Sequence, residues 1–98
     1  MNMQQMLIQA QKMQREMQKK QAELEEQEFV ITKSGAVTVT VKGDKTIKSI
    51  EIDKDAFDPD NKEMVEELIA LAINEAVEQI KVKEEEITSK VSGGMGLF

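Results

Sequence analysis

Apolar residues recur at spacings of three and four through the first quarter of the chain. They form a methionine seam whose members are Met3, Met6, Ala10, Met13, Met17 and Leu24. A helix with this heptad spacing buries its apolar side only against another helix. Because methionine, glutamine, lysine and glutamate also favour helices, the pattern predicts a helical arm over residues 1–26 that packs on a partner helix. Lys20 interrupts the seam between Met17 and Leu24.

The apolar period changes to two after the arm. Residues 28–33 are rich in β-branched and aromatic side chains, and residues 37–42 alternate between valine and polar side chains. Both segments are typical of strands, and the pairs Ser34-Gly35 and Gly43-Asp44 are typical of the tight turns that follow them. The pattern therefore predicts an antiparallel meander.

A third strand is predicted around Ile47, Ile50 and Ile52. Ile47 and Ile50 are an odd number of residues apart, so a regular strand would direct them to opposite faces. A bulge near Lys48-Ser49 would return both side chains to one face, and we predict a bulge there.

A second long helix is predicted over residues 60–91. Asp60 and Glu63 fit a capping box that directly follows Pro59. The helix is apolar on more than one stripe, which is typical of a helix covered on two sides, for instance by its own sheet and by a partner subunit. The side chains expected to serve packing or dimer contacts are Met3, Met6, Met13, Met17, Leu68, Ala72 and Ala76.

The order of elements predicts a single α+β domain over residues 1–98. A long N-terminal helix comes first, a three-stranded antiparallel meander over residues 28–53 follows, and a long C-terminal helix comes last. Residues 92–98 contain three glycines and are predicted to form a flexible tail. Because a chain of 98 residues that projects one helix retains only a thin core, we expect a homodimer.

The composition excludes most kinds of catalytic site. The chain contains no histidine, cysteine, tryptophan or tyrosine. The usual general base at neutral pH, the thiol nucleophile and the commonest transition-metal ligands are therefore missing. We expect no enzyme, no cofactor and no small-molecule substrate.

Two other kinds of site are also not expected. Asp53, Asp55, Asp58 and Asp60 cluster, but Phe57 and Asp58 stand where a calcium-binding loop needs a ligand and a glycine, so no metal site is predicted. No stretch approaches the roughly 20 apolar residues that cross a bilayer, and the glutamine-rich start is unlike a secretory signal. The expected location is cytoplasmic, without membrane contact.

Short motifs follow one another in order along the chain. They are Gln-Ala-Gln-Lys-Met-Gln at 9–14, Ala22-Glu23-Leu24, Val39-Thr40-Val41 with Gly43, Ile50-Glu51-Ile52-Asp53, Asp58-Pro59, Lys62-Glu63-Met64, Glu67-Leu68-Ile69, Asn74-Glu75-Ala76 and the Gly-Met-Gly-Leu-Phe end. In this order and spacing they resemble the YbaB/EbfC family of nucleoid-associated proteins over nearly the whole chain. The resemblance implies a tweezer-like homodimer that binds double-stranded DNA in the nucleoid and has no enzymatic activity.

The distribution of charge bears on DNA binding. A net charge of -6 argues against a phosphate-binding protein at first sight. However, residues 1–22 hold four basic and one acidic side chain, and residues 33–48 hold the same numbers. From residue 55 onward, the chain contains four basic and eleven acidic side chains. The chain therefore has a basic half and an acidic half.

Lys12, Arg15 and Lys19 form a basic row on the first helix, on a face away from Met13 and Met17. Such a row can follow a phosphate backbone, although the solvated face of any amphipathic helix also carries charge. With the family resemblance, we expect duplex DNA to be bound with low sequence discrimination and strong dependence on salt. The candidate DNA-binding residues are Lys12, Arg15, Lys19, Lys20, Lys42 and Lys45.

Two alternatives remain open at this point. Lysines beside a turn, such as Lys42 and Lys45, commonly serve solubility and edge protection. The whole chain could also be a protein–protein adaptor that never contacts DNA. In that case the methionine seam would be a docking groove, since flexible methionines fit varied partner helices.

Overall fold

The computed structural model describes residues 2–94, with side chains described up to residue 89. The elements are helix α1 over Met3–Glu26, strand β1 over Glu28–Lys33, strand β2 over Val37–Lys42, strand β3 over Ile47–Ile52, a 3-10 turn over Pro59–Asn61 and helix α2 over Lys62–Gly94. The predicted α+β class and the predicted order of elements are confirmed.

The three strands form one antiparallel sheet in the order β1-β2-β3. Val39 pairs with Ile50 and Val41 pairs with Ile47. An advance of two residues along β2 is therefore matched by an advance of three residues along β3. The predicted bulge is therefore confirmed at Lys48. Its extra residue keeps Ile47 and Ile50 on the same face of the sheet as the valines of β2.

One face of this sheet and one face of α2 form the core. The valines of β2 are fully buried, and so are Ala72, Ala76 and Ile80 of α2. Small side chains on the helix let it approach the branched side chains of the sheet closely, as dense core packing requires. Helix α2 lies over β1 and β2.

Helix α2 begins and ends at other residues than predicted. Asp60 is part of the 3-10 turn and not the helix cap; Asp58 caps that turn by accepting a hydrogen bond from the backbone N–H of Asp60 at 2.8 Å. Pro59 occupies the first position of the turn, where its missing N–H leaves no bond unmade. The capping box was wrong because Asp58 and Pro59 supply the same start signal two residues earlier.

The predicted flexible tail is also corrected in part. Residues 92–94 are helical, since α2 continues to Gly94. Glycine lowers helix stability by about 1 kcal/mol relative to alanine but keeps its backbone N–H, so it weakens a helix without ending it. Residues 95–98 of the predicted tail lie outside the described residues.

Helix α1 projects from the domain as an arm and gives the molecule an extent of 69 Å along its longest axis. Asn2 caps the arm, because its side-chain oxygen accepts a hydrogen bond from the backbone N–H of Gln5 at 2.8 Å. Residues 2–12 are exposed, Met13 is half-buried and Leu24 is buried. The inner part of α1 packs on α2, whereas the residues of its first three turns are exposed in the part of the chain that the structure describes.

Candidate nucleic-acid interface

The basic row predicted from the sequence lies on the exposed face of α1. Lys12, Arg15 and Lys19 follow one another at helical spacings, and all three side chains are exposed. Among residues 2–89, no ion pair includes any of these three side chains. Their positive charges are therefore available to an anionic ligand.

The methionine seam faces the opposite way. Met13 and Met17 are half-buried, Leu24 is buried, and α2 is the element on which α1 packs. Each residue turns the helix by about 100°, so the basic row points away from this contact. The two faces of α1 thus differ: one packs on the protein and the other is open to solvent.

Lys20 belongs to the packed side of α1. Its side chain is half-buried, and it lines a cleft between the two helices together with Glu23, Lys83 and Glu86. The lysine stem can pack there while the ammonium group reaches solvent. The structure therefore separates Lys20 from the basic row with which it was grouped in the sequence.

The lysines of the β-hairpins have carboxylate partners within the chain. The ion pairs are Lys33 with Glu75 at 2.9 Å, Lys42 with Glu26 at 3.4 Å, Lys45 with Glu84 at 3.2 Å, and Lys48 with Glu28. Exposed pairs of this kind contribute about 0–1 kcal/mol each to stability. The neighbouring carboxylate also reduces the lysine's attraction for a phosphate, because its negative charge lies beside the ammonium group.

The residues predicted to serve packing or dimer contacts fall into three environments. Met3 and Met6 are exposed near the tip of the arm, while Leu68 is half-buried beside the core. Ala72 and Ala76 have no exposed surface and pack inside the protomer. These two alanines are core residues and cannot touch a second copy of the chain.

The sequence analysis missed an apolar surface beside the core. On the inner face of β3, Ile47 and Ile50 are 48% and 43% exposed. A helix about 10 Å across covers roughly two strands spaced 4.8 Å apart, so the single helix α2 leaves the third strand bare. The available signal was the count of elements: three apolar strands and only one helix to cover them.

An apolar cleft extends this surface toward the start of α2. Ile52, Val65 and Ile69 line the cleft, and Phe57 at its rim is largely exposed. Ile73 follows Ile69 by one turn on the same flank of α2 and is half-buried. The bare face of β3 and this flank of α2 together form what we call the β3 face.

The acidic loop between β3 and α2 has a structural use. The Asp58 carboxylate caps the 3-10 turn, and Asp53 closes a turn by accepting the backbone N–H of Ala56 at 2.9 Å through its carbonyl oxygen. Within residues 2–94, no three side chains of the types that ligate metals come together to hold an ion. No helix in the same part of the chain is long and apolar enough to cross a membrane.

One carboxylate has a shifted pKa. Asp44 in the β2–β3 turn accepts hydrogen bonds from the side-chain hydroxyl and the backbone N–H of Thr46, and these bonds lower its pKa below the ordinary value. Lys45, the next residue, has a left-handed backbone with φ of 71°. The hydrogen bonds from Thr46 hold the turn in this conformation, which non-glycine residues seldom adopt.

Comparison with known proteins identifies relatives along nearly the whole chain. Residues 1–95 match the model of the YbaB/EbfC DNA-binding family. The chain is 45% identical over 98 residues to a nucleoid-associated protein of Clostridium novyi, covering 99% of this chain and 86% of the relative. It is 43% identical to a nucleoid-associated protein of Malacoplasma penetrans, covering 90% of this chain and 94% of the relative.

A nucleoid-associated protein of Enterococcus faecalis is 40% identical, with 99% of this chain and 94% of the relative covered. The family model spans residues 1–95, and the relatives exceed 30% identity over most of their own length. The chain belongs to the YbaB/EbfC DNA-binding family.

Proposed function

We propose that this chain is a nucleoid-associated protein that binds duplex DNA as a homodimer, through the basic rows of its two arms, and thereby affects DNA conformation, nucleoid organisation and gene expression. The observation that carries the proposal is the basic row. Lys12, Arg15 and Lys19 are exposed, have no carboxylate partner among residues 2–89, and lie on the face of α1 directed away from α2.

The proposal resolves the conflict between an acidic chain and an anionic ligand. Much of the acidic charge lies on α2, and the hairpin lysines pair with glutamates of α1, β1 and α2. The basic row lies on the face of α1 directed away from α2, so a phosphate backbone can contact it from the side opposite the acidic helix. Contacts of this type are to phosphates, so they favour low sequence discrimination.

The homodimer part of the proposal is supported by the β3 face. Ile47 and Ile50 stand roughly half exposed beside an apolar flank of α2, and contiguous exposed apolar surface of this kind commonly marks a protein–protein interface. Two copies related by a two-fold axis can each place this flank of α2 over the other copy's β3. The two arms would then project from a shared core of two sheets with two helices between them.

The alternative function, a protein–protein adaptor, would have less of the methionine seam available for docking than the sequence pattern indicated. Half of the methionine seam is occupied, because Met13 and Met17 pack on the side of α1 that faces α2. The chemistry proposed is binding only, with no reaction step, cofactor or small-molecule substrate.

A titration across salt concentrations tests the proposed function. Unrelated duplexes should bind at low salt with similar affinities, and the logarithm of the binding constant should fall linearly with the logarithm of the salt concentration. A slope of several units is expected, since each phosphate contact contributes about 0.9. Absence of binding to every duplex at low salt and micromolar protein would reject DNA binding and leave the adaptor function.

A further inference from the structure

The first three turns of α1 form a single exposed helix. Every residue from 2 to 12 is exposed, and the first residue covered by packing is Met13. A lone α-helix with its side chains is about 10–12 Å across, which is close to the roughly 12 Å width of the DNA major groove. Nearer the sheet, at Lys20 and Leu24, α1 lies against α2, and such a pair of helices is too wide to enter the groove.

Ile8 is an apolar side chain on the basic face of this free helix. It precedes Lys12 by one turn and Arg15 by two turns, so it continues the basic row toward the tip. Its side chain is 56% exposed. A β-branched residue at an exposed helical position also has lower helix propensity than the glutamines around it, so Ile8 does not serve the stability of the helix.

The neighbours of Ile8 argue against a protein partner at this point. Residues three and four positions away are adjacent on a helix surface. For Ile8 these are Gln4, Gln5, Gln11 and Lys12. An apolar docking stripe would continue in at least one direction, whereas here one aliphatic side chain is surrounded by three amides and an ammonium group.

This combination of groups matches the major-groove edge of A·T base pairs. Glutamine can bond adenine at N6 and N7, lysine pairs with phosphate, and an aliphatic side chain packs on the C5-methyl group of thymine. We propose that the free tip of α1 enters the major groove of DNA and that Ile8 contacts thymine methyl groups there. The inference rests on the proposed function and adds a weak preference to a mostly electrostatic interaction.

Uracil-substituted DNA tests this directly. Two duplexes of identical sequence, one with thymine and one with uracil, differ only in the C5-methyl groups. The wild-type protein should bind the thymine duplex more tightly, by about fourfold for each methyl group buried. The Ile8→Ala variant should lose this difference, with its affinity for the thymine duplex falling to that for the uracil duplex.

Leu7→Ala is the matched control. Leu7 is 60% exposed, next to Ile8 in sequence, but one residue turns the helix by about 100° and directs it away from the basic row. This variant should keep the preference for thymine. Both substitutions replace an exposed side chain by the best helix former, so the fold and the mass in solution should not change.

The outcomes separate the inference from the function on which it rests. Equal affinity of the wild type for both duplexes, or a thymine preference that survives Ile8→Ala, would overturn the inference while leaving DNA binding intact. A change of mass in the Ile8→Ala variant would also overturn it, because Ile8 would then be a contact between copies. Failure to bind either duplex would reject the proposed function and the inference together.

Discussion

Gly43 lies so close to the last turn of α1 that a Cβ atom built on it would stand 1.7 Å from the carbonyl oxygen of Leu24. The same glycine donates its backbone N–H to the carbonyl oxygen of Gln27 at 2.9 Å. The Leu24 carbonyl oxygen belongs to the backbone, so no side-chain rotation can remove the clash with a Cβ atom at position 43. The junction between the arm and the sheet therefore requires a residue without a side chain.

Gly43→Ala should lower the free energy of unfolding by at least about 1–3 kcal/mol, the usual cost of forcing extra volume into a packed site. Denaturation by urea, followed by circular dichroism, measures this change. Gly35→Asn is the control, because Gly35 has a φ of 63° but no atom near its missing Cβ, and asparagine tolerates this conformation. Similar losses in both variants would contradict the close approach to α1.

Replacing Lys12, Arg15 and Lys19 together by glutamine should weaken DNA binding strongly. The salt dependence should also become shallower, by about 0.9 in log–log slope for each phosphate that the variant no longer neutralises. Fluorescence anisotropy with a labelled duplex, across salt concentrations, measures both quantities.

The control removes the same charge elsewhere. Replacing Lys42, Lys45 and Lys48 by glutamine should change affinity much less, since these three lysines pair with carboxylates of the chain. Equal weakening by the two triple variants would indicate that net charge, and not the basic row, governs binding.

Ile50→Glu should convert the proposed homodimer to a monomer. The substitution places a charge in the centre of the β3 face, where association would bury it without a partner. Sedimentation should give a mass near 11.1 kDa for the variant, in contrast to about twice that value for the wild type.

Val30→Glu is the matched control for assembly. Val30 is 58% exposed and lies on β1 between the buried Phe29 and Ile31, so it points to the opposite face of the sheet. This variant should remain a dimer. Dissociation by Val30→Glu alone would assign the interface to the outer face of the sheet.

Met17→Ala should destabilise the arm, whereas Met3→Ala should not. Met17 is half-buried against the protein and Met3 is 86% exposed, so only the first substitution removes packing, at a cost of about 1 kcal/mol. Amide hydrogen exchange along α1 should accelerate in Met17→Ala and remain unchanged in Met3→Ala. Equal exchange in both variants would mean that α1 does not depend on α2.

Asp44 makes stability depend on pH in the acid range. Its pKa is lowered in the folded state, so it contributes stability that is present above its unfolded pKa of about 3.9 and is lost as the pH falls through the folded value. Asp44→Asn should therefore destabilise the protein at pH 7 and have little effect near pH 2. Urea denaturation of both proteins at the two pH values checks the sign, and an equal effect at both would exclude the charge as its source.

The sequence determined the secondary structure of this protein because local periodicity is a direct property of the chain. The seam spacing indicated α1, the alternating valines indicated β2, and the odd spacing of Ile47 and Ile50 indicated a bulge near Lys48-Ser49. The basic row was also readable, since residues three and four apart on a helix share a face whatever else surrounds it. The start of α2 was misplaced, because the sequence pattern favoured Asp60 as the cap, whereas the Asp58 carboxylate accepts the backbone N–H of Asp60 and caps the turn before the helix.

Only the tertiary structure decided which surface of each helix and strand is packed inside the protein and which is open to a ligand or partner. Sequence spacing placed Lys20 on the methionine seam and predicted that α1 packs on a helix, but it could not indicate that this helix is α2 or that each hairpin lysine meets a carboxylate from another segment. Ala72 and Ala76 were expected to serve packing or dimer contacts, and the structure places them in the core, while the bare isoleucines of β3 went unnoticed. Such assignments depend on which elements pack together and on the width of one helix relative to three strands, and neither is a local property of the sequence.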